Sequence, residues 1–218
     1  MGRLTLSARR SDLVAISEIA EEGEYRFLQE LPFPENALVL DLGANIGCFA
    51  ALIFSIRSDV EVHSAEPSPD TSALLLDNRR RYPHLRWHVH RTAVADVDGT
   101  LTFSNDGPST ARRLTPGRGV PVAAESFDSF VSRVAGARRV FLCKMDIEGA
   151  EVPIFARGPR ALSQIDHFVV EVHGSSEDGA MVTSALSTAF PHLERIPNRG
   201  SSKPLLHAWR GGPGAARA

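Results

Sequence analysis

Lysine is almost absent from this 218-residue chain: Lys144 and Lys203 are the only two, although Lys and Arg together number 24. The skew points to a GC-rich coding background, which speaks of source and not of chemistry. It also makes Lys144 conspicuous, a lysine inside an apolar run, for which snorkelling from a strand edge is the simpler expectation. Cysteine is as scarce. Cys48 and Cys143 both lie in apolar runs and read as reduced core thiols of a cytoplasmic protein. No stretch approaches 18 uninterrupted apolar residues, so no membrane-spanning helix is expected. A net charge of -2 gives no electrostatic case for nucleic acid or an anionic membrane as partner. Charges at Met1–Arg10 precede no apolar h-region, so no secretory signal is visible, and no internal repeat is evident.

What remains fits one α/β domain: 43% of residues are apolar and 23% charged, enough for a full core at this length. Ser11 to Leu31 is mostly helical in spacing, with a break at Gly23 and an end at Pro32. Strands are expected at Ala37–Leu42, Val60–Ala65, Arg86–His90, Val140–Met145 and Phe168–Val172. Helices are expected at Cys48–Ile56, Asp70–Tyr82 with Asp70 as N-cap, Ala123–Val134, Gly149–Ile165 with a break near Gly158, and Asp178–Phe190. Asp98-Gly99 between two extended runs reads as a hairpin turn, Gly107 to Gly119 as a mobile loop, and His192–Ile196 with Leu205–Trp209 as a closing antiparallel pair. The expected division is an N-terminal helical segment over residues 1–36, a doubly wound domain over 37–210, and a disordered tail over 211–218.

Chemistry enters at the strand ends. Residues Val39 to Gly47 read V-L-D-L-G-A-N-I-G, and Lys144 to Glu151 read K-M-D-I-E-G-A-E. A buried strand has no reason to finish on a carboxylate, since an unpaired charge leaving water is costly, but open α/β sheets bind ligands there. Asp41, Gly43, Asn45 and Gly47 form a strand-to-helix turn, and Glu66 follows the next strand, placed to accept hydrogen bonds from ribose hydroxyls. Together they indicate a nucleoside-containing ligand. The dinucleotide turn wants glycine at its centre, where Asn45 and Ile46 stand, and Asp41 would repel a phosphate but attract an ammonium group. That charge logic favours S-adenosylmethionine over NAD.

The segments V-L-D-L-G-A-N-I-G, A-E-P-S-P-D, T-A-V-A-D-V-D-G-T, K-M-D-I-E-G-A-E and V-V-E-V-H-G, in this order, resemble the FkbM family of S-adenosylmethionine-dependent methyltransferases over roughly Glu24 to Gly174. The resemblance implies a Rossmann-like class I fold, with a mostly parallel seven-stranded sheet, one antiparallel strand and helices on both faces. It also implies methyl transfer to a hydroxyl oxygen of a small molecule, a sugar or secondary metabolite. Carried over by position, Asp41, Gly43, Asn45 and Gly47 would hold the methionine part of the cofactor. Glu66 would bind the ribose, Pro67 and Ser68 would flank the adenosine, and Thr92, Ala93 and Val94 would line the adenine pocket. Asp146 would face the methionine amine and the methyl, with Glu148, Glu151, Glu171 and His173 around the acceptor. Cys48 stands where the family often carries an aromatic residue, and Pro153 interrupts the helix after the acidic motif, so the shape of the acceptor pocket stays open.

His173 is the first candidate base, because unperturbed imidazole titrates near neutrality. Asp146 is the second, with positioning of the cofactor as its main task. Glu171 and His173, two apart on a strand, would share one face. A Mg²⁺ site of Asp146, Glu148 and Glu171 would suit a hard cation, but no metal is assigned. His84, His88 and His90 read as solvated, and Arg112, Arg113 and Arg118 as part of a solvated loop that could otherwise grip an anionic acceptor. Methyl transfer to nitrogen or a carboxylate, an NAD-dependent oxidoreductase and a non-catalytic cofactor-binding module are the alternatives. The sequence leaves the acceptor, the pathway and the oligomeric state open.

Overall fold

The computed structural model describes residues 4–20, 24–104, 119–197 and 203–211. Its centre is β1 (Leu38–Leu42), every residue of which is buried. Alternate side chains of a strand face opposite ways, and both faces of β1 are covered. Leu38, Leu40 and Leu42 pack with α4 (Phe127–Ala135), α5 (Glu151–Ala156) and α6 (Ser176–Ala189). Val39 joins the other core, with Phe49 and Ile53 of α2 (Cys48–Ile56), Leu75 of α3 (Pro69–Arg80) and the N-terminal residues Tyr25, Phe27 and Leu28. The short helix α1 (Leu13–Ala20) lies against α2.

The sheet adds β2 (Glu61–Ala65), β3 (Arg86–His90), β7 (Val140–Met145), β8 (Ile165–Glu171), β9 (His192–Ile196) and β10 (Leu205–Trp209) in the order β3-β2-β1-β7-β8-β10-β9. The β3-β2-β1-β7-β8 pairings are parallel, and β10 runs antiparallel to both β8 and β9. The chain moves outward from β1 first on one side and then on the other, so the crevice between β1 and β7 is the switch point at which such sheets take ligands. This is the expected Rossmann-like α/β fold.

A second sheet departs from expectation. β4 (Ala93–Ala95) and β5 (Gly99–Phe103) flank the Asp98-Gly99 turn but do not pair with each other, because β6 (Val120–Ser126) lies between them. It runs parallel to β4 and antiparallel to β5. Part of the expected helix over Ala123–Val134 is therefore strand: Val122 and Ala124 are buried on one face, and pairing on both edges overrides local helix preference. The helix starts at Phe127 with Ser126 as its cap. Asp98 serves that cap, accepting from Ser126 N at 2.8 Å and Ser129 Oγ at 3.0 Å.

Smaller differences have local causes. Ser68 rather than Asp70 is the N-cap of α3, since Pro69 takes the first helical position. β8 ends at Glu171, so His173 lies beyond the strand and not on its face. Gly47 begins α2 with φ +98°, and a Cβ there would stand 2.5 Å from the Trp87 ring. Its glycine is required by packing of helix on sheet. The Gly23 break, most of the Gly107–Gly119 loop with Arg112, Arg113 and Arg118, and all of the tail after Gly211 lie outside the described residues. No described helix is long and apolar enough to cross a membrane.

Candidate active site

A pocket opens at the carboxyl ends of β1, β2, β7 and β8, and its two ends are built differently. At the first, the chain leaves β1 through Gly43 at φ +79° and Asn45 at φ +49°. A Cβ on Gly43 would stand 1.8 Å from the Asp146 carbonyl oxygen, so only glycine lets the two strand ends approach. Glu66, at the end of β2, accepts from Asn45 N at 3.0 Å and from Ser68 N at 2.9 Å, one backbone donor on each carboxylate oxygen. Burial pushes its pKa up to about 7, against the pull of those N–H groups and of Lys144. Ala93, Val94 and Phe103 continue this end as an apolar slot beside Pro67.

Lys144 corrects the expectation of a snorkelling edge lysine. β7 is a central strand, and the side chain is 3% exposed. Its ammonium donates to Gly43 O at 2.9 Å and stands 3.6 Å from both Asp41 Oδ1 and Asp146 Oδ2. Burial alone would lower its pKa, but Asp146, Asp41 and Glu171 outweigh that and raise it, so the amine stays charged. Asp41 is wholly buried behind it, taking Ser64 Oγ at 3.3 Å. Burial raises its carboxyl, and Lys144 opposes the shift. Asp41 thus supports the turn through Lys144 and does not form part of the pocket wall.

The second end is a knot of charges. His173 Nδ1 lies 3.0 Å from Oε1 of Glu151, a fully buried carboxylate that also accepts the His173 backbone N–H. The other ring nitrogen, Nε2, faces Glu148 Oε2 at 3.4 Å, Asp146 Oδ1 at 3.7 Å and Glu171 Oε2 at 3.9 Å. Burial would pull this imidazole down, but the Glu151 hydrogen bond and the charges of Asp146, Glu151 and Glu148 push it up to about 9. That direction favours the protonated imidazole and weighs against His173 as the base. Glu148 lines the pocket with a left-handed backbone, φ +55°, a conformation a glutamate holds only where the surroundings fix it. Burial raises it to about 7, with Asp146 and Glu171 adding to the shift while His173 and Lys203 oppose it.

Of the expected site residues, Gly43, Asn45, Glu66, Pro67, Ala93, Val94, Asp146, Glu148 and Glu171 line this one pocket. Asp41, Gly47, Ser68, Thr92 and His173 stand behind the wall: Ser68 offers its backbone N–H to Glu66, and the Thr92 hydroxyl donates to Ala123 O at 3.1 Å. The sequence reading missed Ile19, Glu24 and Tyr25 of the N-terminal segment, along with Phe103 and Lys203. Tyr25 packs edge-on against Phe49, and burial with the charges of Asp146 and Glu171 keeps its phenol protonated. None of these is a strand-end carboxylate or part of the Gly43–Gly47 turn, so no local pattern marked them. Cys48 lines the pocket rather than the core, and burial pushes its thiol up to about 12, far from reactivity at neutral pH. His84 and His88 are exposed, as expected, whereas His90 is half-buried: it stacks on His63, and burial lowers it to about 4.

Comparison with known proteins agrees with this geometry. A family model described as the methyltransferase FkbM domain matches residues 41–201. The 2-O-methyltransferase NoeI of Sinorhizobium fredii is 24% identical over 191 residues, covering 78% of this chain and 76% of its own. The hexuronic acid methyltransferase AglP of Haloferax volcanii is 26% identical over 157 residues, which span 71% of this chain and 63% of that relative. Among solved structures, human methyltransferase-like protein 13 in complex with SAH superposes with a TM-score of 0.53 at 13% identity, covering 97% of this chain and 86% of that one, a likeness of fold.

Proposed function

The chain belongs to the FkbM methyltransferase family and uses S-adenosylmethionine, and we propose that it methylates a hydroxyl oxygen of a small molecule such as a sugar. The observation that carries this reading is one pocket joining a ribose-type carboxylate, Glu66, to a cluster of acid–base groups at the neighbouring strand ends. The two relatives described above, one named for 2-O-methylation and the other for a hexuronic acid, support a sugar-like acceptor.

The residues present fit the cofactor. Both Glu66 oxygens keep a lone pair free of the backbone for ribose hydroxyls. Asn45 Oδ1 is buried without a hydrogen bond, a ready acceptor for an ammonium group. The close approach at Gly43 leaves the turn open to a ligand, and Ala93, Val94 and Phe103 offer apolar walls to adenine. When bound, the cofactor supplies a methyl group already activated by its sulfonium.

The protein's share is alignment and exclusion of water. Lys144 fixes the β1 and β7 ends through Gly43 O, Asp41 and Asp146. Ile19, Glu24 and Tyr25 line the pocket, which supports a role for residues 1–36 as a cap on the acceptor side. Removal of the acceptor's hydroxyl proton falls to Glu148, whose carboxylate is on the wall and whose backbone is fixed. Thermal-shift titration tests the reading: S-adenosylhomocysteine should raise the melting temperature and NAD should not. Stabilisation by NAD alone would overturn it.

A further inference from the structure

We propose that Asp146, Glu171 and His173 bind one hard divalent cation, Mn²⁺ or Mg²⁺, beside the acceptor. The existence of the site stands on geometry alone, and its role rests on the methyltransferase reading. One ligand atom from each of the three lies within 4.8 Å of the others. His173 supplies the decisive observation. Its side chain is 9% exposed, yet Nε2 makes no hydrogen bond: Glu148 Oε2 stands nearest at 3.4 Å, and the oxygens of Asp146 and Glu171 lie 3.7 and 3.9 Å away, beyond hydrogen-bonding reach. Ligands about 2.1 Å from an ion stand roughly 3 Å apart when adjacent and roughly 4.2 Å when opposite, so these separations leave room for an ion between them.

The remainder of the ring is set up as metal-binding histidines are. Nδ1 is held by Glu151, a wholly buried carboxylate, which orients the imidazole and directs Nε2 inward. Two carboxylate oxygens with one imidazole suit Mn²⁺ or Mg²⁺. His173 enters as a neutral ligand, its Nε2 proton released to water. Three protein ligands leave positions for water and for the acceptor's hydroxyl oxygen, where the ion would hold that oxygen and ease loss of its proton to Glu148.

A second cluster, Glu61, His63 and His88, shows the contrast. There Arg138 already takes both Glu61 oxygens, at 2.8 and 3.2 Å, and His63 bonds to Glu61 and His90. Its charges are answered within the protein, and no buried ring nitrogen is left over.

The test is titration of the metal-stripped full chain with Mn²⁺, followed by electron paramagnetic resonance, with Mg²⁺ as competitor. One Mn²⁺ per chain should bind and be displaced by Mg²⁺. Glu171→Gln, which keeps size and polarity, should weaken binding at least tenfold, and Glu151→Gln should do so 10–100-fold with all three ligands intact. Absence of saturable binding, or binding unchanged in Glu171→Gln but lost in His63→Ala, would overturn the proposal. S-adenosylhomocysteine titrated into the same stripped protein separates the two readings. If it binds while Mn²⁺ does not, the cation site alone fails; if it does not bind, the methyltransferase reading fails and Mn²⁺ is judged by its own titration.

Discussion

The two ends of the pocket are held by different means. At the Glu66 end, backbone does the work: two N–H groups fix one carboxylate, and a left-handed turn leaves space in front of it. At the Glu148 end, side chains do the work, with Asp146, Glu148, Glu151 and Glu171 gathered around one imidazole ring. In the first, both Glu66 oxygens have backbone donors before any ligand arrives, while Asn45 Oδ1 is left without a hydrogen bond. The second crowds like charges together, an arrangement that costs stability and is common at functional sites. Between them stands Lys144, tied to both strand ends.

Substitution should separate the two ends. Glu148→Gln keeps the shape of the acceptor end and removes its base, so turnover should fall by roughly 10²–10⁴-fold while affinity for S-adenosylhomocysteine stays near wild type. Steady-state kinetics beside calorimetry will show this, and loss of both together would mean the two ends are not separate. Lys144→Met strikes the junction. It leaves Asp41 buried without its cation, a cost of about 3–5 kcal/mol. Because burial already raises the Asp41 carboxyl, protonation can relieve that cost. The loss of melting temperature should therefore be larger at pH 8 than at pH 5, and an equal loss at both would contradict the role assigned to Asp41.

The same contrast decides what could be read from sequence. The Glu66 end was legible because it follows local rules: an apolar strand, a glycine turn, a second strand and an acidic residue, each tied to backbone geometry. A mostly parallel sheet with helices on both faces followed from the alternation of strands and helices for the same reason. Val120–Ser126 was not legible, since its strand identity comes from pairing with β4 and β5 on both edges. At the acceptor end the sequence named Asp146, Glu148, Glu171 and His173 but not the environment of the imidazole. The upward shift of His173 comes from Glu151 of α5 and from Asp146 and Glu148 of the loop before it, a sum no local pattern carries. Lys144 was read as an edge residue because strand order, which makes β7 central, is a property of the whole sheet.

The most direct measurement is calorimetric titration of S-adenosylhomocysteine into wild-type protein and Glu66→Ala across pH 5.5 to 8.5. Ribose hydroxyls donate to an ionised carboxylate, and burial holds Glu66 at about pKa 7 in the free protein. Below that value a proton must leave before the ligand binds, so wild-type affinity should fall by up to about tenfold per pH unit and level off above it. Glu66→Ala should bind about 1.5–3 kcal/mol more weakly on the plateau and lose that slope. A folded Glu66→Ala protein with wild-type affinity and wild-type pH dependence would contradict the placement of the cofactor at the carboxyl ends of β1 and β2.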